Sequence, residues 1–312
     1  MPKLATRAAL AAAAAVAVAP SLASAAITVQ TTTNGATMVN NLVPAGSGIT
    51  IVDGSATYTG AANASGTFSG ANFLGTGFTS GVVLTTGIAT DLDGPNTGDA
   101  DFSEDNDFEG GNDRLDAIVD PQTTSNASTL SFQFVPSADV ISFQFVFGSD
   151  EYSEFVGSVY NDVFGFFLNG ENIALVPGTD DPVAINTVNN GSDDGETPPS
   201  NPQFFTDNDD ENGSGLDTKL DGLVGQKLAL FATANVTPGE TNMIEITIAD
   251  TTDEIYDSAV FLRSSSFVAE PPPVEPPPPP NAIPLPAGVW AGMTMLGGMG
   301  VFSKIKRRVR RA

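Results

Sequence analysis

Residues 143–177 read FQFVFGSDEYSEFVGSVYNDVFGFFLNGENIALVP. Phenylalanine alternates with other residues at the start, and this period of two places the rings of Phe143, Phe145 and Phe147 on one face of a sheet. Segment 163–168 is almost wholly apolar, which indicates a strand buried on both faces. The stretch therefore predicts a hydrophobic hairpin whose connecting loop is acidic. That loop contains Asp150, Glu151, Tyr152, Glu154, Tyr160 and Asp162.

The rest of the chain is similarly built from short apolar segments. Its 312 residues include 32 glycines and 22 prolines, and long amphipathic patterns are scarce, which favours short strands joined by turns. We predict an antiparallel β-sandwich or jelly roll, with one short helix within 31–43 that begins after Asn34. The predicted strands are 49–58, 66–73, 81–86, 130–135, 140–147, 163–168, 183–188, 228–236, 243–249 and 259–267.

Two residue types are missing from the sequence. The absence of cysteine excludes disulfides, so stability must come from the core, helped by any bound cations. The absence of histidine removes the commonest general base and transition-metal ligand. Ser–His–Asp and zinc-hydrolase chemistry are excluded in their usual forms.

The charge distribution is strongly asymmetric. All 37 acidic residues lie within 53–275, where the basic residues are Arg114, Lys219, Lys227 and Arg263. Such a segment repels nucleic acid and anionic membranes, and it attracts cations. Much of the charge falls in two polar segments, 91–120 and 189–215, which we predict to be acidic loop insertions.

The acidic loop and two later strand ends together suggest a first metal site. Hard oxygen ligands without softer ones select Ca²⁺ over zinc. The alternative is a loop whose carboxylates accept backbone N–H bonds and brace the chain. The candidate ligands are Asp150, Glu151, Asp162, Asp250 and Asp257.

A second candidate Ca²⁺ site lies in the first insertion. Residues 105–116 approach the calcium-loop pattern D-x-[DN]-x-[DN]-G-x5-E, with glutamate at the fifth place and aspartate at the twelfth. No helix pattern precedes it and the bidentate glutamate is absent, so a solvated acidic loop is the competing interpretation. The candidate ligands are Asp105, Asp107, Glu109 and Asp116.

Both ends of the chain carry targeting patterns. Residues 1–25 have a positive start, an apolar centre and the cleavage pattern Ala23-Ser24-Ala25 of a secretory signal helix. Residues 270–282 form a proline-rich linker, which favours extended polyproline II. An apolar segment, 287–302, then predicts a transmembrane helix held on the cytoplasmic side by a terminal basic cluster.

The C-terminal pattern, 283–312, resembles the VPLPA variety of PEP-CTERM sorting signals. The motif here is Ile283-Pro284-Leu285-Pro286-Ala287, with isoleucine at the first place instead of valine. With the N-terminal signal predicting Sec export, the resemblance implies transient anchoring in the inner membrane of a Gram-negative bacterium and cleavage by an exosortase-type enzyme. The product would reach the cell surface or the medium, often in organisms that make exopolysaccharide.

Residues 36–268 resemble the choice-of-anchor L domain. The matching pieces occur in order and are GVVLTTG at 81–87, FGSDEY at 147–152, NDVFGFF at 161–167, NIA at 172–174, IAD at 248–250 and YDSAVF at 256–261. The resemblance implies an exported, surface-associated β domain spanning 26–269, and it implies no known reaction.

Three classes of function remain open on the sequence. The first is a non-enzymatic structural or adhesion protein of the surface or matrix, stabilised by cations. The second is a module that binds extracellular polysaccharide through Tyr152, Phe155 and Tyr160. The third is a glycoside hydrolase that uses paired carboxylates such as Glu151 and Glu154.

Overall fold

The computed structural model describes residues 27–70, 78–94, 96, 103, 106–208, 218–225 and 230–272. The chain divides into one unit, Met1–Pro272, and another, Pro273–Ala312. The predicted signal peptide, sorting motif and transmembrane helix lie outside the described residues, as does Asp105. No helix among the described residues has the length and apolar character needed to cross a membrane.

The described elements are mostly strands. They are β1 (Thr28–Thr31), α1 (Gly35–Leu42), β2 (Ile49–Ile51), β3 (Thr57–Thr59), β4 (Ser65–Ser69), β5 (Ser80–Thr85), a 3₁₀ helix (Ala89–Leu92), α2 (Asp113–Val119), β6 (Thr124–Pro136), β7 (Val140–Ser149), β8 (Val163–Leu168), β9 (Glu171–Asn172), β10 (Phe205–Asp207), β11 (Gly222–Val224), β12 (Leu230–Asn235), β13 (Asn242–Thr251) and β14 (Ser258–Arg263).

These strands form two antiparallel sheets that pack together as a β-sandwich, which confirms the predicted fold class at this level. Sheet A has the order β1-β4-β5-β14-β7-β11-β10, with β12 also paired to β7. Sheet B has the order β2-β6-β13-β8-β9, with β3 also paired to β6.

Phenylalanine rings from the two sheets meet in the core. Phe143 and Phe145 of β7 contact Phe166 of β8 at centroid distances of 4.8 and 5.0 Å. Phe147 stacks on Phe164 at 5.2 Å. The alternation in β7 is thus confirmed as a buried face. The predicted hairpin is wrong, because β7 belongs to sheet A and β8 to sheet B. The acidic loop instead crosses between the sheets.

Two helices complete the packing. Helix α1 begins as predicted after Asn34, whose side chain accepts a hydrogen bond of 3.0 Å from the Thr37 N–H. Helix α2 was not predicted, so the expectation of a single helix is wrong. Its Leu115 and Val119 are buried against Phe167 and other apolar residues, although the surrounding segment is rich in acids.

Several strand boundaries also differ from the predictions. Segment 49–58 forms two strands, β2 and β3, separated by a turn. Segment 183–188 forms a turn with isolated bridges at Pro182 and Ala184 and is not a strand, although Val183, Ile185 and Val188 are buried. The apolar residues of this segment therefore indicate burial correctly, but they do not indicate that the segment pairs as a strand.

Candidate functional site

The five acids of the first predicted metal site lie at one end of the sandwich. Asp150 and Glu151 follow β7, and Asp162 precedes β8. Asp250 lies near the end of β13, and Asp257 precedes β14. Both connections, β7 to β8 and β13 to β14, pass from one sheet to the other at this end. The topology therefore assembles acids that are about 100 positions apart in the sequence.

All five side chains are buried, with exposed fractions of at most 3%. Buried carboxylates are rare unless they are paired with cations, hydrogen-bonded or protonated. The partners of each acid therefore decide what this cluster can do. We call these residues the acidic cluster: Asp150, Glu151, Asp162, Asp250 and Asp257.

Asp162 braces the two crossing connections. Its Oδ1 accepts a hydrogen bond of 3.0 Å from the Thr251 N–H. Its Oδ2 accepts one of 2.7 Å from the Ser258 hydroxyl. These contacts match the alternative interpretation of the acidic loop, in which carboxylates accept backbone N–H bonds.

The two carboxylate oxygens of Asp250 have different surroundings, and this carboxyl group also interacts with Thr86 and Asp162. Its Oδ2 accepts a hydrogen bond of 3.0 Å from Asn126 Nδ2, at an irregularity in the pairing of β13 with β6. Its Oδ1 is buried and accepts no hydrogen bond from the described residues. Glu151 Oε2 is likewise buried and accepts no hydrogen bond from the described residues. Asp250 Oδ1 and Glu151 Oε2 are thus two buried acceptors of the acidic cluster to which a cation or a proton could bind.

Asp257 lies directly on the backbone of Gly87. A Cβ added to Gly87 would come within 1.9 Å of Asp257 Oδ2, so the carboxyl group occupies the space that any side chain would need. The Asp257 carbonyl also accepts a hydrogen bond of 3.0 Å from the Asp150 N–H. Glycine is thus required two residues after β5, because a buried carboxyl group approaches the backbone closely there.

Burial dominates the electrostatics of the acidic cluster. Loss of solvation, and then the charge of Asp162, raise the pKa of Glu151 to about 10. Burial raises the pKa of Asp162 to about 7, opposed by its hydrogen bonds from Ser258 and Thr251. Burial and the charge of Asp162 raise the pKa of Asp250 well above its usual range. Without a cation, the cluster therefore retains protons at neutral pH.

The fit to Ca²⁺ is mixed. The donors are all hard oxygens, and Asp250 Oδ1 and Glu151 Oε2 are buried without a hydrogen bond from the described residues. However, no three acidic side chains within the described part of the chain are arranged to hold a metal ion. Coordination would therefore need backbone carbonyls, water or a rearranged side chain in addition to the carboxylates.

The second predicted site is also not assembled by its described members. Asp107 and Glu109 are exposed. Asp116 lies in α2, where its Oδ1 accepts hydrogen bonds of 2.7 Å from both the N–H and the hydroxyl of Thr124. This carboxylate therefore stabilises the connection from α2 to β6.

The aromatic side chains of the acidic loop divide into two groups. Tyr152 is buried, its ring lies 4.8 Å from that of Phe205, and its hydroxyl donates to the Val188 carbonyl at 2.8 Å. The prediction that Tyr152 stacks on a sugar is therefore wrong in this structure. Phe155 and Tyr160 are partly exposed.

The sequence reasoning missed a third partly exposed ring. Tyr256 comes from the turn between β13 and β14, and its ring centroid lies 5.2 Å from that of Phe155. The ring centroid of Tyr160 lies 5.5 Å from that of Phe155. Asn126 and Ser258, which hydrogen-bond to the acidic cluster, were missed too. All are polar or aromatic residues next to strand ends, but no spacing in the sequence indicates which of them meet.

Comparison with known proteins identifies the family. A family model for the choice-of-anchor L domain matches residues 27–268. The chain belongs to the choice-of-anchor L family. Membership implies a protein anchored at the cell surface, and the match covers the whole described sandwich up to its last strand. No curated protein and no solved structure gave a significant match.

Proposed function

We propose that this choice-of-anchor L protein is an exported structural or adhesion protein of the cell surface or extracellular matrix, whose sandwich is stabilised by Ca²⁺ at the acidic cluster. The observation that carries the proposal is the burial of five acids at the point where both sheets are connected. A cation bound there would hold the two crossing connections together.

Electrostatics support a cation. Burial is the largest influence on the pKa values of Glu151, Asp162 and Asp250, and no described basic side chain is among the causes of these shifts. Such groups must take up protons or bind a cation to avoid the cost of a buried, unpaired charge. Extracellular modules bind Ca²⁺ with dissociation constants of about 10⁻⁴–10⁻³ M, an affinity that an incomplete site can reach.

The same geometry supports a non-enzymatic role. A carboxylate pair in a glycoside hydrolase must reach the scissile bond from both sides. Glu151 has the raised pKa of a general acid, but its side chain is 1% exposed, whereas Glu154 is exposed. A surface-bound substrate would not contact both groups. We therefore propose no catalytic residues.

Calcium titration of the full-length chain tests the proposal. We expect millimolar Ca²⁺ to raise Tm and EDTA to lower it, because a ligand that binds only the folded state stabilises it by mass action. Isothermal calorimetry should show heat at the same concentrations. The proposal is overturned if EDTA leaves Tm unchanged and millimolar Ca²⁺ gives no heat.

Matched variants locate the cation. Glu151→Gln removes a buried carboxylate without changing its shape, so the rise in Tm on adding Ca²⁺ should be strongly reduced. Glu109→Gln removes an exposed carboxylate of the second predicted site and serves as the control. A response lost only in the Glu109 variant would move the calcium site to the 105–116 loop.

The sorting tail completes the proposal. We propose that the chain passes through the Sec pathway and is held in the inner membrane by its C-terminal helix. An exosortase-type enzyme would then cleave it near Ile283-Pro284-Leu285-Pro286-Ala287. Replacing Pro284 and Pro286 with alanine should leave an uncleaved form in the membrane fraction of the source bacterium. Normal release of that variant would contradict this step.

A further inference from the structure

A partly exposed apolar surface is formed by residues next to the acidic cluster in the sequence. The Phe155 ring is at its centre, 5.5 Å from Tyr160 in an edge-to-face contact and 5.2 Å from Tyr256 at an interplanar angle of 37°. Val159 and Ile255 directly precede Tyr160 and Tyr256 in the sequence and are 47% and 50% exposed, which is unusual for large aliphatic side chains. We call these five residues the aromatic patch.

The aromatic patch is held together by two separate segments. Phe155, Val159 and Tyr160 come from the loop between β7 and β8, and the other two residues come from the turn between β13 and β14. The Thr252 hydroxyl joins the segments by donating to the Val159 carbonyl at 3.0 Å. Thr252 and Tyr256 have φ angles of 83° and 65°, which a non-glycine residue rarely adopts. The backbone is therefore strained at these two residues, in the conformation that places Tyr256 beside Phe155.

The charge around the aromatic patch limits its partners. Glu154 and Glu254 are exposed and adjoin the patch in sequence, and Asp253 is partly exposed. Carboxylates at this position repel nucleic acid, anionic lipid and anionic polysaccharide. A second copy of this chain is disfavoured as well, because each copy carries a net charge of -25.

We propose that the aromatic patch binds a neutral, hydroxyl-rich polysaccharide. A sugar ring presents C–H groups on its faces, which pack against the electron-rich faces of aromatic rings. Its hydroxyl groups project at the edge, where Glu154 and Glu254 can accept hydrogen bonds. Partly exposed rings combined with a few polar groups thus match both surfaces of a sugar. The inference deepens the adhesion role proposed above and rests on it.

Binding to a panel of polymers tests the inference. We would use affinity electrophoresis of the full-length chain in gels containing soluble β-glucan, dextran or galactomannan, with alginate as the anionic polymer and polylysine as the cationic one. We expect retardation by at least one neutral polysaccharide and none by alginate. Retardation by polylysine alone would overturn the inference and indicate a basic protein partner.

Variants of the rings provide the second arm. Tyr160→Ala and Tyr256→Ala should each weaken binding about tenfold, the loss typical of an aromatic anchor at an interface. Tyr160→Phe keeps the ring and should bind like the parent chain. Met243→Ala removes a 45% exposed hydrophobic side chain from β13 outside the aromatic patch, and it should have no effect.

A melting curve for each variant separates binding from folding. The inference is wrong if folded Tyr160→Ala and Tyr256→Ala variants bind as well as the Met243→Ala control, or if no neutral polysaccharide is bound. Either failure would leave the Ca²⁺ proposal standing, since that is measured by the response of Tm to Ca²⁺ and EDTA.

Discussion

Asp250 has unequal surroundings at its two carboxylate oxygens. Asn126 donates to Oδ2, while Oδ1 accepts no hydrogen bond from the described residues. Burial and the neighbouring charge of Asp162 raise its pKa well above the ordinary range. A charged Asp250 without a cation therefore destabilises the folded state, whereas a charged Asp250 with a bound cation stabilises it.

Replacing Asp250 with asparagine separates these two effects. In EDTA at pH 8, Asp250→Asn should raise the free energy of unfolding by about 1–3 kcal/mol, because a neutral amide replaces a carboxyl group whose ionisation burial disfavours. The amide oxygen can still accept from Asn126. Thermal unfolding in EDTA measures the change, and Asp139→Asn, an exposed acid, is the control. A lower Tm for Asp250→Asn in EDTA would show that the carboxyl group is needed even without a cation.

Gly87 is constrained by the carboxyl group of Asp257. Gly87→Ala should lower the free energy of unfolding by about 1–3 kcal/mol, because the new Cβ would overlap a buried side chain that has little room to move. Urea unfolding measures this loss. Thr90→Ala, an exposed position in the following 3₁₀ helix, should change stability far less. Equal stability of the Gly87 variant would mean that the Asp257 carboxyl moves at little cost.

Among the elements, β7 and β8 carry the contact between the sheets. Phe166→Ala removes a ring that touches Phe143, Phe145 and Phe164, so we expect a loss of about 3–5 kcal/mol in the free energy of unfolding. Urea unfolding followed by tyrosine fluorescence measures it. Met243→Ala on β13 is the control, since that side chain is 45% exposed. A loss below 1 kcal/mol would indicate that the core closes around the missing ring.

The sequence predicted elements better than it predicted their partners. Alternation in β7 and β13 and the apolar run of β8 identified these strands within a few residues. The period of the hydrophobic pattern does not indicate which sheet a strand joins, so the predicted pairing of β7 and β8 as a hairpin is wrong. Helix α2 escaped notice because only Leu115, Ile118 and Val119 face apolar neighbours in a segment dominated by acids.

The candidate site was predicted in part for a similar reason. The acids next to strand ends lie at one end of the sandwich, since antiparallel strands bring alternate connections to the same end, and metal binding by them stays a prediction. The hydrogen bonds of Asp162 to Thr251 and Ser258 depend on register and side-chain orientation, which single positions do not encode. The meeting of Tyr256 with Phe155 also needs the positive φ at Tyr256, and a tyrosine gives no signal for that conformation.

At the scale of the molecule, the charge of the chain and the protonation of the acidic cluster make the stability of the fold depend on pH. The chain has 37 acidic and 12 basic residues, so its own repulsion grows as carboxyl groups ionise. Asp162 and Glu151 keep their protons in the folded chain up to pH values of about 7 and about 10. The same groups lose them near pH 4 in the unfolded chain.

This difference predicts how stability depends on pH. Between pH 4 and pH 7 the folded state binds more protons than the unfolded state at Asp162, so the free energy of unfolding falls as pH rises, and Glu151 extends the fall toward pH 10. In EDTA, Tm should therefore decrease steadily from pH 5 to pH 9, by about 2–4 °C for each kcal/mol lost. Differential scanning calorimetry at fixed ionic strength measures this slope.

Calcium should reverse that slope, because protons and Ca²⁺ compete for the same oxygens. Its effect on Tm should be small at pH 5, where the cluster is protonated, and grow toward pH 9 as the carboxylates become available. The Asp250→Asn variant should show a shallower slope in EDTA and a weaker response to Ca²⁺. A Ca²⁺ effect that is equally large at pH 5 and pH 9 would indicate that the cation binds exposed carboxylates, which ionise near pH 4. Ca²⁺ bound at the acidic cluster would then not explain the stability of the fold.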